Sequence, residues 1–345
     1  MKSGQPVQTQ IIDWTYGDPP LAEHGLVCAI GNFDGVHKGH QVVIEAAKTR
    51  ASLAGLPLAV VTFSPHPRQY FRPSDAPFLL QTKNSKNECL AALGVEIIIH
   101  IHFNKTLQEL SPETFVEKVL VKAFSVTHLF AGSDFAFGKS RAGSMESLAQ
   151  MGKDVGLAVH PISILTDTAQ MAVSSSRIRA ALQAGQIELA ADMLGRQPTV
   201  SGPIIMGDQR GRLLNFPTAN LELGGCLEPA FGVYAVTAEL EWADGQRQLL
   251  TGVTNIGRRP TVNDRGVLAE THLFNFDKEI YGCQMTVHLQ AFLRPEQKFH
   301  GLDSLRDQII KMLNMRDRFS SRQVSLNTLN NQVGLLCQQQ FDGEG

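Results

Sequence analysis

Leu26-Val27-Cys28-Ala29-Ile30-Gly31-Asn32-Phe33-Asp34-Gly35-Val36-His37-Lys38-Gly39-His40 decides the fold of the front half of this chain. It begins as an unbroken apolar run of strand length, which suits a strand buried on both faces of a parallel sheet. A glycine-punctuated loop follows, and from Gln41 to Ala54 the pattern is helical. A strand that turns through glycines into a helix gathers backbone N–H groups and the helix dipole at one point, where an anion is favoured. Gly31, Gly35 and Gly39 let the backbone turn sharply or approach a ligand closely. His37 and His40 are three residues apart, so both face that point. Two imidazoles there would donate hydrogen bonds to a polyphosphate as charge builds in a transition state. On spacing alone a metal pair or two solvated histidines stay open, although a metal would want a third ligand and none lies close in sequence.

Outward from this stretch the rhythm continues. Leu58–Phe63, Val95–Ile101 and His128–Ala131 are further apolar runs, separated by helical patterns over Lys83–Leu93, Pro112–Phe124 and Ser144–Asp154. Strand and helix in alternation imply βαβ units and a doubly wound α/β sheet, whose ligands bind beyond the C-terminal strand ends at the topological switch point. From about Thr199 the rhythm changes. Gln284–Ala291 alternates polar and apolar residues, and Gly232–Glu241 and Gln248–Ile256 behave similarly, with Asp244-Gly245 as a hairpin turn between them. Strands without intervening helices predict a small antiparallel β-barrel. Leu302, Leu305, Ile309 and Met312 then return to helical spacing, so a C-terminal helix is expected. The expected domains are 1–194 and 195–345, with Gly195–Gly202 as the linker.

A chain of 345 residues exceeds what one hydrophobic core usually serves. Hydrophobic residues at 43% and charged residues at 19% exclude a disordered chain, and a net charge of -2 offers neither a basic stripe for nucleic acid nor a global field for phosphates. Phosphate-bearing ligands must therefore be met by local sites. Cys28, Cys89, Cys226, Cys283 and Cys337 are scattered without metal or redox spacing and read as reduced thiols. No apolar run approaches the length of a membrane span, and the polar Met1–Gly25 lacks a signal-peptide core, so a cytoplasmic protein without membrane association is expected. A homo-oligomer is compatible with the sequence.

Other segments carry chemistry of their own. Ser174-Ser175-Ser176 before a helix supplies an N-cap and hydroxyls for phosphate oxygens, and Arg179 a guanidinium fork for β- and γ-phosphates; an ordinary cap with a solvated arginine is the alternative. Asp134, in a Phe- and Gly-rich turn, is placed to contact a ribose, a flavin or a metal, or is an ordinary turn aspartate. In the back half Pro217 stiffens a loop in which Thr218 and Asn220 offer hard oxygens suited to Mg²⁺, and Gly207 and Gly211 would let the preceding loop fold over phosphates; a plain tight turn rich in Pro and Asn is the alternative. Glu270, His272 and Phe274 share one face of a strand.

The string Gly-Asn-Phe-Asp-Gly-Val-His-x-Gly-His over 31–40, with Thr62–Pro67, Gly132–Gly138 and Ser174–Arg179, resembles the FAD synthetase branch of the nucleotidyltransferase superfamily. Gly211–Asn220, with its Pro-Thr-Ala-Asn core, and Glu270-Thr271-His272 are similar to riboflavin kinases. In their order these motifs resemble the bacterial bifunctional riboflavin kinase/FAD synthetases from about Val27 to Met312. The resemblance implies a nucleotidyltransferase-like front domain and a barrel kinase domain. It implies ATP, riboflavin and FMN as substrates and Mg²⁺ as cofactor. It places Gly31, Asn32, Phe33, Asp34, Gly35, Gly39, Ser174, Ser175, Ser176 and Arg179 at ATP beside the catalytic His37 and His40. Asp134, Phe63 and Arg294 go to flavin or ribose, and Gly207, Gly211, Arg212 and Pro217 to the kinase ATP. Thr218 and Asn220 go to the metal, and Glu270 is the general base.

Three positions depart from that family pattern. Asn215 stands where glycine precedes Phe-Pro-Thr, and Asn is the next residue most tolerant of positive φ. Leu79-Leu80-Gln81-Thr82 lacks an expected arginine, which removes a cation near the first site. An acidic residue expected near Met312 is absent.

Overall fold

The first strand of the quoted stretch, β2 (Leu26–Ile30), is buried at every residue. It lies inside a six-stranded parallel sheet of order β1-β4-β3-β2-β5-β6, formed with β1 (Gln10–Trp14), β3 (Leu58–Ser64), β4 (Ile97–His102), β5 (Val126–Gly132) and β6 (Ala158–Ile162). The computed structural model describes residues 8–21, 24–205, 218–258, 266–276 and 278–295. Both faces of the sheet are covered, as the continuous apolar runs require. Cys28, Ile30, Val61, Ile99 and Leu129 share one core with Phe115, Val119, Leu120 and Leu148. Val27, Ala29, Val60 and Ile98 share another with Val43, Ile44, Ala47 and Leu90.

The helices are α1 (Lys38–Ala54), α2 (Pro67–Phe71), α3 (Lys83–Ala92), α4 (Lys105–Gln108), α5 (Pro112–Thr114), α6 (Met145–Val155), α7 (Ser175–Gln183) and α8 (Ile187–Leu194). The helix expected over Pro112–Phe124 opens as α5 and continues as a π-helix over Phe115–Ala123. In chain order the sheet runs outward from β2 in both directions, through β3 and β4 on one side and β5 and β6 on the other. The switch point is therefore the gap between the ends of β2 and β5.

The back half is an antiparallel sheet of order β7-β12-β9-β10-β11-β8, from β7 (Thr199–Pro203), β8 (Ala219–Glu222), β9 (Gly232–Glu241), β10 (Arg247–Arg258), β11 (Val267–Leu273) and β12 (Gln284–Pro295). A bridge between Ile205 and Asn220 brings its two edges together, so the barrel is nearly closed. Period-2 burial fills it: Tyr234, Val236, Ala238 and Leu240 face inward with Ile256, Ala269, Met285, Val287 and Leu289. The Asp244-Gly245 turn joins β9 to β10 with Gly245 at φ +82°, and the Asp244 carboxylate accepts from the Gln246 N–H at 3.0 Å.

Two departures from expectation concern the junction. The stretch Gly195–Gly202 is not a free linker: Gly195 caps α8 in the left-handed conformation, and Thr199–Pro203 is β7, paired with β12. The alternation that suggested a rhythm change at Thr199 already belongs to the barrel. In addition, α7 and α8 bury Ile178, Ala181, Leu182, Ile187, Ala190, Met193 and Leu194 in the same core as the barrel strands. The final helices of the front half thus pack on the back half. The predicted C-terminal helix around Leu302–Met312 lies outside the described residues.

Gly252 shows how close the barrel strands run. A Cβ there would stand 2.3 Å from the His272 carbonyl oxygen on β11. Gly252→Ala should therefore force β10 and β11 apart and lower stability by about 1–3 kcal/mol in urea denaturation; an unchanged midpoint would contradict this packing.

Candidate active sites

At the switch point the chain leaves β2 through a turn that no ordinary loop would adopt. Phe33, Gly35 and Val36 all have positive φ, at 50°, 86° and 41°. For Gly35 this costs nothing, but for Val36, a β-branched residue, it is a strained conformation that persists only where its surroundings over-determine it. The turn is nearly dry: Phe33 and Val36 are each 1% exposed and Asp34 is 4% exposed.

Asp34 organises the site. Its carboxylate accepts from the Leu80 N–H at 2.9 Å and from Arg179 Nη2 at 2.5 Å. Its carbonyl accepts from Ser175 Oγ at 2.8 Å. Arg179 also donates through Nε to the Phe78 carbonyl at 2.7 Å, and its guanidinium lies over the Phe78 ring. The arginine expected to face phosphates is thus held at the cleft wall by a buried aspartate. Burial pushes the Asp34 carboxyl above its usual range, and the Arg179 charge opposes that.

His37 follows the turn as the N-cap of α1. Its Nδ1 accepts from the His40 N–H at 3.4 Å, so the proton of the neutral ring belongs on Nε2. The two imidazoles stack with centroids 3.6 Å apart, and a Cβ on Gly39 would press the His37 ring at 3.2 Å. Burial, then the charges of Arg196 and Arg179, hold His37 down to about 4. Burial followed by the neighbouring His37 holds His40 well below its usual value. Gly31 shows no such demand, since a Cβ there would meet Phe33 at ordinary contact distance.

A cavity of about 1070 Å³ opens over these groups. Gly31, Asn32, Phe33, Asp34, His37, Gly39 and His40 line it with Ser174, Ser175, Ser176 and Arg179, whereas Gly35, expected among them, does not line it. Ser174 is the N-cap of α7, accepting from the Arg177 N–H at 3.4 Å, and Ser176 is exposed at the same helix start. Asp134 and Phe63 line the wall too. A Cβ on Gly132 would stand 2.9 Å from Asp134 Oδ1, so the aspartate side chain lies close over the backbone at the end of β5.

Several lining residues escaped the sequence reading. Arg68, Arg72, Lys139 and Arg141 add cations at the rim, and Phe71, Phe103 and Phe115 add aromatic wall beside Phe135 and Phe137 of the Phe- and Gly-rich turn. Phe135 and Phe137 stack at 5.7 Å, and Phe103 contacts Phe63, Tyr70 and Phe71 edge-on. Lys86 on α3 donates to the Asn32 carbonyl at 3.3 Å and to Thr62 Oγ1 at 3.1 Å, and burial lowers its ammonium to about 8. The basic residues of the 139–141 turn were the one findable signal, since they directly follow a quoted motif.

The second site is set by strand register. Glu270 on β11 is the direct antiparallel partner of Asn220 on β8, and of Asn255 on β10. Asn255 pairs in turn with Val233 on β9, and Val233 with Arg294 on β12. Directly paired residues project on the same face with Cβ atoms about 4.5–5.5 Å apart, so Arg294, Asn255, Glu270 and Asn220 form one row across the barrel. Ala269 and Leu273 point the other way, into the core. The His272 ring meets Phe274 edge-on at 5.9 Å, a packing role. Asn220 is 3% exposed, and its Oδ1 has no hydrogen-bond partner among the described residues. A buried amide oxygen without a donor fits a hard cation, and Mg²⁺ takes few protein ligands when phosphates supply the rest. No cluster of three or more His, Cys, Asp or Glu side chains offers another metal site among the described residues. Gly207, Gly211, Arg212, Asn215 and Pro217 lie outside them.

Comparison with known proteins gives two family models in tandem: FAD synthetase over residues 20–177 and riboflavin kinase over residues 194–317. A protein of Haemophilus influenzae named bifunctional riboflavin kinase/FMN adenylyltransferase is 37% identical, over 83% of this chain and 92% of its own length. One of the same name from Bacillus subtilis is 38% identical over 83% of this chain and 89% of its own. A solved Streptococcus pneumoniae structure, titled a macrolide-efflux protein, superposes with a TM-score of 0.78 at 28% identity, covering 88% of this chain and 98% of that one. Among the described residues no helix here is long and apolar enough to cross a membrane.

Two outcomes follow from this geometry. Arg179→Met leaves the Asp34 carboxylate buried and unpaired, so stability should fall by about 3–5 kcal/mol; adding Asp34→Asn should restore most of it, and strictly additive losses in that cycle would refute the pairing. His37 accepts a proton more readily unfolded, at 6.5, than folded, at about 4. Its contribution to stability is therefore intact above pH 6.5 and declines as pH falls towards 4. By NMR the His37 ring should stay neutral through pH 5.5, whereas titration near 6.5 would mean the ring is solvated.

Proposed function

This chain belongs to the bifunctional riboflavin kinase/FMN adenylyltransferase family, and from that premise we propose how its two sites divide the work. It phosphorylates riboflavin to FMN with ATP and transfers the adenylyl group of a second ATP to FMN, giving FAD and pyrophosphate. Residues 1–194 carry the adenylyl transfer and 195–345 the kinase reaction.

In the first site an oxygen of the FMN phosphate attacks the α-phosphorus of ATP, and the bond to the β-phosphate breaks. No protein nucleophile is required, so positioning and charge stabilisation carry the acceleration. His37 presents Nε2–H to the polyphosphate, backed by the stacked His40. Because the ring is neutral in the free enzyme, it serves as a hydrogen-bond donor that strengthens as charge develops. Arg68, Arg72, Arg141 and the α7 hydroxyls, Ser176 foremost, receive the phosphates. The ring-lined wall, Phe63 included, suits the isoalloxazine, and Asp134 a ribose hydroxyl. Arg179 acts by keeping Asp34 and the turn in place rather than by reaching the phosphates.

In the second site Glu270 accepts the proton of the riboflavin 5′-hydroxyl while that oxygen attacks the γ-phosphorus and ADP departs. Thr218 and Asn220 would hold Mg²⁺, which would supply charge neutralisation to the phosphates there. The single observation that carries this reading is the direct cross-strand pairing of Glu270 with Asn220, whose buried oxygen lacks a donor. Arg294 ends the same row, at the flavin side.

Glu270→Gln should abolish FMN formation from riboflavin, ATP and Mg²⁺ while adenylylation of supplied FMN persists, as resolved by separating FMN from FAD. His37→Ala should do the converse, lowering FAD synthesis by about 10²- to 10³-fold. Parallel loss of both products in either variant would refute the two-site assignment.

A further inference from the structure

Arg196 follows the capping Gly195 on the connector between α8 and β7, inside the riboflavin kinase match and outside the FAD synthetase match. Its side chain does not face the kinase row. Nη2 donates to the Gly35 carbonyl at 2.8 Å and to Gln81 Oε1 at 2.8 Å, and Nη1 donates to the Val36 carbonyl at 3.2 Å. Gln41 supplies a second donor to the Val36 carbonyl at 2.9 Å and ties it to the Leu194 carbonyl at the same distance. Two consecutive carbonyls at positive φ, one belonging to a buried β-branched residue, are thus gripped from outside, and His37 is the next residue.

We propose that Arg196 is a positioning residue for adenylyl transfer, through which the kinase half of the chain holds the catalytic turn of the other half in its working shape. The inference rests on reading the 31–40 turn as the adenylyl site. The physical ground is strain. A valine at φ +41° relaxes towards negative φ unless its flanking peptide groups are fixed. Relaxing Val36 swings the peptide that carries His37, and displacing a catalytic group by about 1 Å can cost on the order of 10²-fold. The Arg196 guanidinium meets this need because one planar fork reaches two adjacent carbonyls and a side-chain amide at once, which a lysine cannot do. Its charge also contributes to keeping the His37 ring neutral. The neighbouring contacts run the same way. The Leu227 N–H donates to the Leu79 carbonyl at 2.7 Å, and Leu80 in turn binds Asp34. The barrel therefore backs the turn from two sides.

The test uses the full-length enzyme and assays both reactions separately. Arg196→Ala should lower kcat for FAD formation from supplied FMN by about 10- to 100-fold with KM values for ATP and FMN changed less than about threefold. Riboflavin phosphorylation should stay within about twofold. Val36→Gly removes the strain at its source, so the Arg196→Ala/Val36→Gly enzyme should regain a substantial part of the lost kcat. Arg196→Lys, which keeps the charge and one donor, should fall between wild type and alanine, and it covers the case in which the alanine variant does not fold. Unchanged FAD synthesis in Arg196→Lys and Arg196→Ala would overturn the proposal. So would an equal fall in both activities, or a glycine double variant no better than the single. If His37→Ala impairs FAD synthesis and the Arg196 variants do not, the site reading stands and this inference alone fails.

Discussion

A buried carboxylate has to be paired, and at 4% exposure Asp34 leaves no room for water to do it. That constraint reaches across the molecule. The guanidinium that answers it comes from α7 and the amide from the Leu80 loop, while the Ser175 hydroxyl of α7 holds the Asp34 main-chain carbonyl. Each of these elements is also tied to the barrel, α7 through its apolar face and the 79–80 loop through its bridge to Cys226. The positive-φ turn between β2 and α1 is closed by these attachments, and the helix cap at His37 depends on the turn.

Under the proposed assignment the two sites meet the same demand, a polyanion beside a flavin, in different ways. At the end of β2 the answer is a strained loop, a helix N-terminus and a rim of cations, so the geometry depends on tertiary contacts far apart in sequence. On the barrel it is register. Once β8 pairs with β11, Glu270 and Asn220 must share a face, and no strain is involved. The front site therefore responds to changes at a distance, while the barrel row responds to changes in strand pairing.

The sequence was most informative where local pattern determines structure. The runs at Leu58–Phe63 and Gly232–Glu241 became strands because continuous and alternating burial leave different signatures. β1 and β6 were not foreseen, since both are short sheet-edge strands with little of the buried apolar signature, β6 carrying Pro161 as well. The turn residues could be grouped from their spacing, but nothing local announces positive φ at Val36 or Phe33. The pairing of Asp34 with Arg179, the reach of Arg196 and the place of Lys86 are contacts between distant segments, set only when helices α3, α7 and α8 dock. A single sequence carries no period or motif for such contacts.

The most direct measurement is amide hydrogen exchange on the ligand-free, full-length enzyme, read at Gly31, Val36, Gln41 and Leu80. These amides donate to the Val61, Phe33 and His37 carbonyls and to the Asp34 carboxylate. A turn held closed by its own contacts should protect them as strongly as the strands of the parallel sheet. Exchange at the rate of an open loop, slowing only when ATP and FMN are added, would mean that substrates build the turn and that the contacts described here do not.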